Sequence, residues 1–204
     1  MSSSSISEIK PKKNTVTLKI ENVVASVRIS SYLNLDLLIE RYRDVEKKEN
    51  FPGLVIKIKK PKSTILIFRS GKMVITGTKN IKNIPIIVEK VVKRLKATGC
   101  ELDMEPEIKV ENIVASGNFH TPINLDLTSI TLERTIYEPE VFPGLIYKVP
   151  VPKVCFLIFS SGKIICTGAK LEAKIRIAVR DLAVKLKKAE ILGRKNNFDG
   201  LDLY

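Results

Sequence analysis

The stretch "ILIFRSGKMVITGTK", residues 65–79, returns nearly unchanged as "FLIFSSGKIICTGAK" at residues 156–170. Upstream of each copy lies a second matched pair, "FPGLVIK" from Phe51 and "FPGLIYK" from Phe142. The spacing is constant: Phe142 minus Phe51 and Phe159 minus Phe68 both give 91. Further out, "IENVVAS" (20–26) matches "VENIVAS" (110–116) and "LNLDL" (33–37) matches "INLDL" (123–127), both at an offset of 90, so the second copy gains one residue before Phe142. A period this long exceeds that of solenoid repeats. It predicts one duplicated unit in a pseudo-two-fold molecule: repeats at 15–105 and 106–193, a disordered N-terminal tail at 1–14, and a C-terminal tail at 194–204 to which no role is assigned.

Within a unit the hydrophobic period changes in a definite order. "TVTLKIENVVASVRIS" (15–30) is rich in Val, Ile and Thr and alternates, as a long strand does. "NLDLLIERYR" opens on Asn34, a good N-cap, and spaces Leu37, Leu38 and Tyr42 as a short amphipathic helix. Strands are expected at 54–60, 64–69 and 72–78, with Gly71 in the tight turn "RSGK". "NIKNIPIIVEKVVKRLKATG" then reads as a helix with Pro85 near its start, an Ile84/Val88/Val91/Leu95 stripe, and Gly99 at its end. The second copy repeats it with "EAKIRIAVRDLAVKLKKAEILG". Strands outnumber helices and hairpin-length turns join them, so the sheet is expected to be antiparallel, with two helices per unit on one face.

Alternation along the strands then says what the other face carries. Val23, Ala25, Val27, Ile29, Ile65, Ile67, Met73 and Ile75 are assigned to the helix side. Asn22, Val24, Ser26, Leu66, Phe68, Val74 and Thr76 point away, as do Asn112, Val114, Leu157, Phe159, Ile165 and Thr167 in the second copy. This free face is read as uncharged: apolar, with one Asn per copy. Burial on both sides or a dimer interface would also accommodate it, although an unpaired buried Asn is costly. Lys57, Lys59, Lys62, Lys72 and Lys79 flank the strip, mirrored by Lys148, Lys153, Lys163 and Lys170. An apolar floor between two lysine rows suits the minor groove of DNA between its phosphate chains.

Composition agrees. The 204 residues carry a net charge of +13, which points to a polyanion, nucleic acid before an anionic membrane, although lysine-rich surfaces also occur in thermophiles. No apolar run reaches the ~18 residues of a membrane span, and "MSSSSISEIKPKKN" lacks a signal peptide's apolar core, so an intracellular protein is expected. Cys100, Cys155 and Cys166 show neither metal-ligand spacing nor a disulfide framework; Cys155 and Cys166 read as small buried hydrophobes. No metal or cofactor is expected.

At "FPGLIYK", "LIFSSGK" and "TGAK" in the second copy, and at the matching residues of the first, the sequence resembles the TATA-box-binding protein family over about residues 15–192. The resemblance implies an α+β fold: a pseudo-two-fold saddle of two direct repeats, with a curved ten-stranded antiparallel sheet and four helices on its convex face. It implies a non-catalytic general transcription factor that binds the minor groove of A/T-rich promoter DNA. Phe51 with Phe68, and Phe142 with Phe159, match the pairs that kink DNA in that family, a mechanism for which the family is a standard case. Asn22 and Asn112, with Thr76 and Thr167, match its central hydrogen-bonding positions. Val24, Val114, Leu66, Leu157, Val74 and Ile165 match its apolar floor, Ile165 standing where Val is usual. The nine lysines are assigned to phosphate contacts from their place beside the strip and not from the resemblance. Glu138 and Glu140 in "YEPEVFPGL" match the loop that meets transcription factor B, whereas the first-copy "EKKENFPGL" is more basic.

The implied partners are promoter DNA, transcription factor B and RNA polymerase, with no membrane. The chain is expected to be a monomer on DNA and able to dimerise when free. The short Ser/Lys-rich N-terminus looks archaeal, which implies a nucleoid-associated protein in the cytoplasm, or a nuclear one if the source is eukaryotic. The competing readings are an enzyme of the same fold, an architectural DNA binder, and an interaction scaffold. Against the enzyme, the sequence offers no acid pair or Cys/His dyad and ends where an added catalytic domain would begin. His120 is expected to be a loop residue and not a ligand.

Overall fold

The computed structural model describes residues 16–192; both tails lie outside the described residues. The first repeat runs β1 (Thr17–Arg28), α1 (Asp36–Arg41), β2 (Val45–Lys47), β3 (Gly53–Ile58), β4 (Ser63–Phe68), β5 (Lys72–Thr78) and α2 (Asn83–Ala97). The second runs β6 (Glu107–Asn118), α3 (Leu125–Thr131), β7 (Thr135–Ile136), β8 (Gly144–Val149), β9 (Val154–Phe159), β10 (Lys163–Ala169) and α4 (Glu172–Lys188). All strands join one antiparallel sheet in the order β2-β3-β4-β5-β1-β6-β10-β9-β8-β7.

Each repeat has its own core between half of the sheet and its two helices. In the first, Val23, Ala25, Val27, Ile65, Ile67, Met73 and Ile75 pack under Ile84, Ile87, Val88, Val91 and Leu95. In the second, Ile113, Ala115, Phe156, Ile158 and Cys166 meet Ile175, Val179, Leu182 and Leu186. The alternation assigned from sequence is the one observed. β1 and β6, at 12 residues each, are twice the length of β3 or β4 because each also serves its neighbour: Val16 and Leu18 pack on the second core.

Three expectations need correction. Each repeat has five strands, as the ten-stranded sheet implied by the resemblance requires and one more than alternation located; β2 and β7 are three and two residues long, too short to show an alternation. The strands expected at 15–30 and 54–60 are shorter, because turn residues cannot enter the ladder, and the one expected at 64–69 keeps its length but starts one residue earlier, at Ser63. Asn34 does not cap α1: its Oδ1 accepts only from the Asp36 N–H, at 3.2 Å, and the helix starts after Leu35 without a side-chain cap. Its counterpart Asn124 does cap α3, accepting from the Leu127 N–H at 2.9 Å. Asn124→Ala should therefore cost about 1 kcal/mol in chemical denaturation, and Asn34→Ala clearly less. Equal losses would mean that the two caps are equivalent in solution.

Candidate nucleic-acid interface

The helix-free face is organised by cross-strand rows. Val55, Leu66, Val74 and Ser26 are successive partners across β3, β4, β5 and β1. Ile146, Leu157, Ile165 and Ser116 form the same row across β8, β9, β10 and β6. At the centre Asn22 pairs with Val114 and Val24 with Asn112, so the pseudo-dyad lies between two Asn–Val pairs. Most of this floor is half-buried rather than core. Val55 and Ile146 extend it beyond the residues named from sequence; they occupy alternate positions of strands already assigned, and that signal was sufficient to find them.

Both asparagines are held in one orientation. The Gly77 N–H donates to Asn22 Oδ1 at 2.8 Å, and Asn22 Nδ2 donates to Thr76 Oγ1 at 3.1 Å. Gly168, Asn112 and Thr167 repeat this at 2.8 and 3.1 Å. Gly77 and Gly168 have φ of +86° and +106°, a conformation that a side chain would strain, and each sits where the strand register shifts. With the amide oxygen engaged by a backbone donor, each NH2 retains one hydrogen for an outside acceptor.

At each end of the strip two phenylalanines pack on a glycine. The Phe51 and Phe68 ring centroids are 5.6 Å apart, and those of Phe142 and Phe159 are 6.0 Å apart, tilted and edge-on respectively. None of the four belongs to either core, and Phe142 is 37% exposed. The glycine of "FPG" makes room for the rings: a Cβ on Gly144 would lie 2.7 Å from Phe142 Cε1.

The lysine rows are not all free, and the face is not uncharged. Lys79 Nζ reaches Glu21 Oε2 at 2.6 Å, and Lys170 Nζ reaches Glu111 Oε2 at 2.6 Å. The glutamates cross the repeat boundary: Ser116 Oγ donates to Glu21 at 2.9 Å, and Ser26 Oγ to Glu111 at 2.8 Å. The hydrogen bonds from Lys79 and Ser116, and from Lys170 and Ser26, hold both carboxyls below the usual glutamate range. Lys57 is paired with Glu46 at 2.7 Å. Lys59, Lys62, Lys72, Lys148, Lys153 and Lys163 are exposed at strand ends and turns. Glu21 and Glu111 precede the asparagines in "IENVVAS" and "VENIVAS", and their identical placement in both copies was the available signal.

Cys155 is likewise corrected. It lies on the free face opposite Thr167, half-buried, at the position Thr64 holds in the first repeat. Cys166 is a core residue whose thiol burial pushes up to about 12. Glu138 and Glu140 are exposed on the loop before Phe142, and no ion pair involves either among the described residues. His120 is a left-handed loop residue with φ of 54°, its Nε2 3.1 Å from Thr17 Oγ1.

A helix-backed sheet with an apolar, amide-centred strip, aromatic pairs at both ends and lysines around it has the chemistry of a protein that binds double-stranded nucleic acid. A family model described as "Transcription factor TFIID (or TATA-binding protein, TBP)" matches residues 17–98 and 107–189. The TATA-box-binding protein of Pyrobaculum islandicum is 46% identical over 86% of this chain and 89% of its own length. That of Aeropyrum pernix is 44% identical over 86% and 87%. The solved Methanococcus jannaschii TBP superposes with a TM-score of 0.78 at 40% identity, covering 84% of this chain and 99% of that one. The chain belongs to the TATA-binding protein family: it is a non-catalytic, TATA-box-binding general transcription factor that acts on promoter DNA inside the cell.

The aromatic ends give a test of local packing. Gly53→Ala would place a Cβ 2.5 Å from the Ile67 carbonyl oxygen, which cannot move freely, whereas Gly144→Ala meets ring atoms of Phe142 and Phe159 first. Gly53→Ala should fall at the upper end of the about 1–3 kcal/mol of overpacking and Gly144→Ala at the lower end, with the Phe142–Phe159 NOEs lost. Retained NOEs in Gly144→Ala would show that the ring pair does not depend on that glycine.

Proposed function

We propose that this chain grips the minor groove of an A/T-rich promoter site, kinks it at both ends, and presents the complex to transcription factor B and RNA polymerase. The observation that carries the reading is the pair of oriented amides, Asn22 and Asn112, at the centre of an apolar strip. In the minor groove A·T and T·A pairs offer only acceptors, while G·C adds a guanine amino group. Two fixed N–H donors suit the former. The methyl-bearing floor of Val24, Val114, Leu66, Leu157, Val74 and Ile165 offers the guanine amine no acceptor and no space. Thr76 and Thr167 support the amides.

The two aromatic pairs, Phe51/Phe68 and Phe142/Phe159, insert at the terminal base steps, and flexible pyrimidine–purine steps lower the cost of the kink. Lys59, Lys62, Lys72, Lys148, Lys153 and Lys163 contact phosphates directly. Lys57, Lys79 and Lys170 do so after exchanging their glutamate partners. The acidic loop of Glu138 and Glu140 suits the basic surface expected of transcription factor B. The protein acts as a monomer on DNA, in the cytoplasm of an archaeal cell.

Competition binding with base-substituted duplexes tests the groove. Each central A·T replaced by G·C should cost about 1–3 kcal/mol, while I·C, which keeps an A·T-like minor groove, should bind nearly as well as A·T. Loss of binding with I·C would overturn the minor-groove reading. Phe159→Ala tests the wedge: it should reduce bending, measured as end-to-end fluorescence transfer, with little change in the free protein's Tm. A fully buried Phe would cost about 3–5 kcal/mol on truncation, so a large fall in Tm with normal bending would assign Phe159 to the core instead.

A further inference from the structure

The two repeats diverge most sharply at the outer corner where the edge strand, its neighbour and the long helix meet. Strand register makes Val45 equivalent to Thr135, since they face Ile56 and Tyr147, so Asp44 corresponds to Arg134 and Glu46 to Ile136. In the first repeat this corner is internally neutralised. Arg94 pairs with Asp44 at 2.9 Å and stacks on Tyr42, and Lys57 pairs with Glu46 at 2.7 Å. Beside it, Lys90 donates to the Lys60 carbonyl at 2.5 Å, and Lys93 pairs with Glu89. The second repeat, at the constant offset of 91, has Val151 for Lys60, Asp181 for Lys90, Val184 for Lys93, Lys185 for Arg94 and Lys188 for Ala97.

The result is a two-part depression on the second repeat. A cavity of about 570 Å³ is lined by Arg134, Lys148, Lys185 and Lys188, with Glu133 the single acid. Lys185 donates to Tyr147 Oη at 2.8 Å and lies 5.5 Å from that ring's centroid, and among the described residues no ion pair involves it. Adjoining it, and sharing Tyr147, Lys185 and Lys188, is a cavity of about 280 Å³ lined by Val149, Val151, Ala178, Leu182 and Val184 beside Asp181. Val151 is 83% exposed and Val184 43%, so apolar side chains face solvent where the first repeat has lysines.

We propose that this corner is a docking site for a protein segment in which carboxylates flank one or two bulky apolar side chains. The basic cavity complements the carboxylates, and the valine-lined cavity takes the apolar anchor. The apolar half and Asp181 disfavour a nucleic-acid backbone, which would gain nothing from Val151 or Val184. The sign of charge is opposite to that of the Glu138/Glu140 loop on the same repeat, so the two surfaces suit different partners.

The test uses the full chain and fluorescence anisotropy with a short labelled peptide of glutamates carrying one Leu and one Phe, against a polyglutamate of equal charge. The anchored peptide should bind and polyglutamate should bind much more weakly. The pair Val151→Lys and Val184→Lys, which restores the first repeat's residue types at exposed positions, should weaken the anchored peptide about tenfold. Lys188→Ala should weaken it and reduce its salt dependence. Neither variant should alter the Tm or the affinity for a TATA duplex. Equal binding of the two peptides, indifference to the valine pair, or no binding at all would each overturn the proposal. Markedly tighter binding by a chain ending at Leu192 would also overturn it, since the site would then belong to residues 193–204 of the same chain.

Discussion

Everything on the open face depends on the antiparallel pairing of β1 with β6. Among the described residues that ladder is the only sheet contact between the repeats, and it runs from Thr17–Asn118 to Arg28–Glu107. Because it is antiparallel and joins equivalent strands, each side chain near the axis meets its own counterpart's neighbour. This places Asn22 beside Val114 and Val24 beside Asn112, and brings Glu21 within reach of Ser116 and Glu111 within reach of Ser26. It also merges two small half-sheets into one strip, with each long strand contributing to both cores. A parallel or shifted pairing would put the two amides on different lines and leave no continuous floor.

The second requirement is that a binding surface this apolar be kept from collapsing into the core or onto itself. Alternation supplies the first safeguard, since a strand that buries Val23, Ala25 and Val27 must turn Asn22, Val24 and Ser26 outward. The carboxylates supply the second. Glu21 and Glu111 put negative charge and hydrogen-bonded lysines at the waist of the strip, which interrupts an otherwise contiguous apolar patch of the kind that promotes association. The same ion pairs lower the electrostatic attraction of the free face for any polyanion below that of a bare row of lysines.

What the sequence made legible follows from which signals are local. Period-2 alternation over six or more residues identified β1, β4, β5 and their counterparts and assigned their faces. The matched offsets gave the duplication, and the family resemblance paired Phe51 with Phe68 and Phe142 with Phe159. What was not legible depends on geometry between elements. Strands of two or three residues, such as β7 and β2, exist only because β8 and β3 offer a partner. Asn34 and Asn124 stand in the same motif, yet only one caps, because the two helices begin at different points relative to the Asn. That Glu21 is tied to Ser116 of the other repeat cannot be read from either repeat alone, and Cys155 was grouped with Cys166 although alternation puts them on opposite faces.

Near-symmetry creates a problem that the open face cannot solve. A·T and T·A present the same acceptors in the minor groove, so a pseudo-dyad reader with matched amides, floors and aromatic pairs gains almost no energy from one direction over the other. Small differences exist, such as Ile165 against Val74 and Cys155 against Thr64, but each is worth little when its neighbours are alike. Orientation must then come from where the repeats have diverged. Those positions lie at the periphery: the loop of Glu138 and Glu140 against the less acidic loop before Phe51, and the corner where Asp44 and Glu46 give way to Arg134 and Ile136. Divergence there leaves the strip unchanged, so under the proposed mode of binding the two ends of the molecule differ in where their charges lie without altering the surface that holds DNA. In the proposed complex a partner that distinguishes the ends would fix the polarity of the whole assembly, and the symmetric face would need only to hold the duplex in place while it does so.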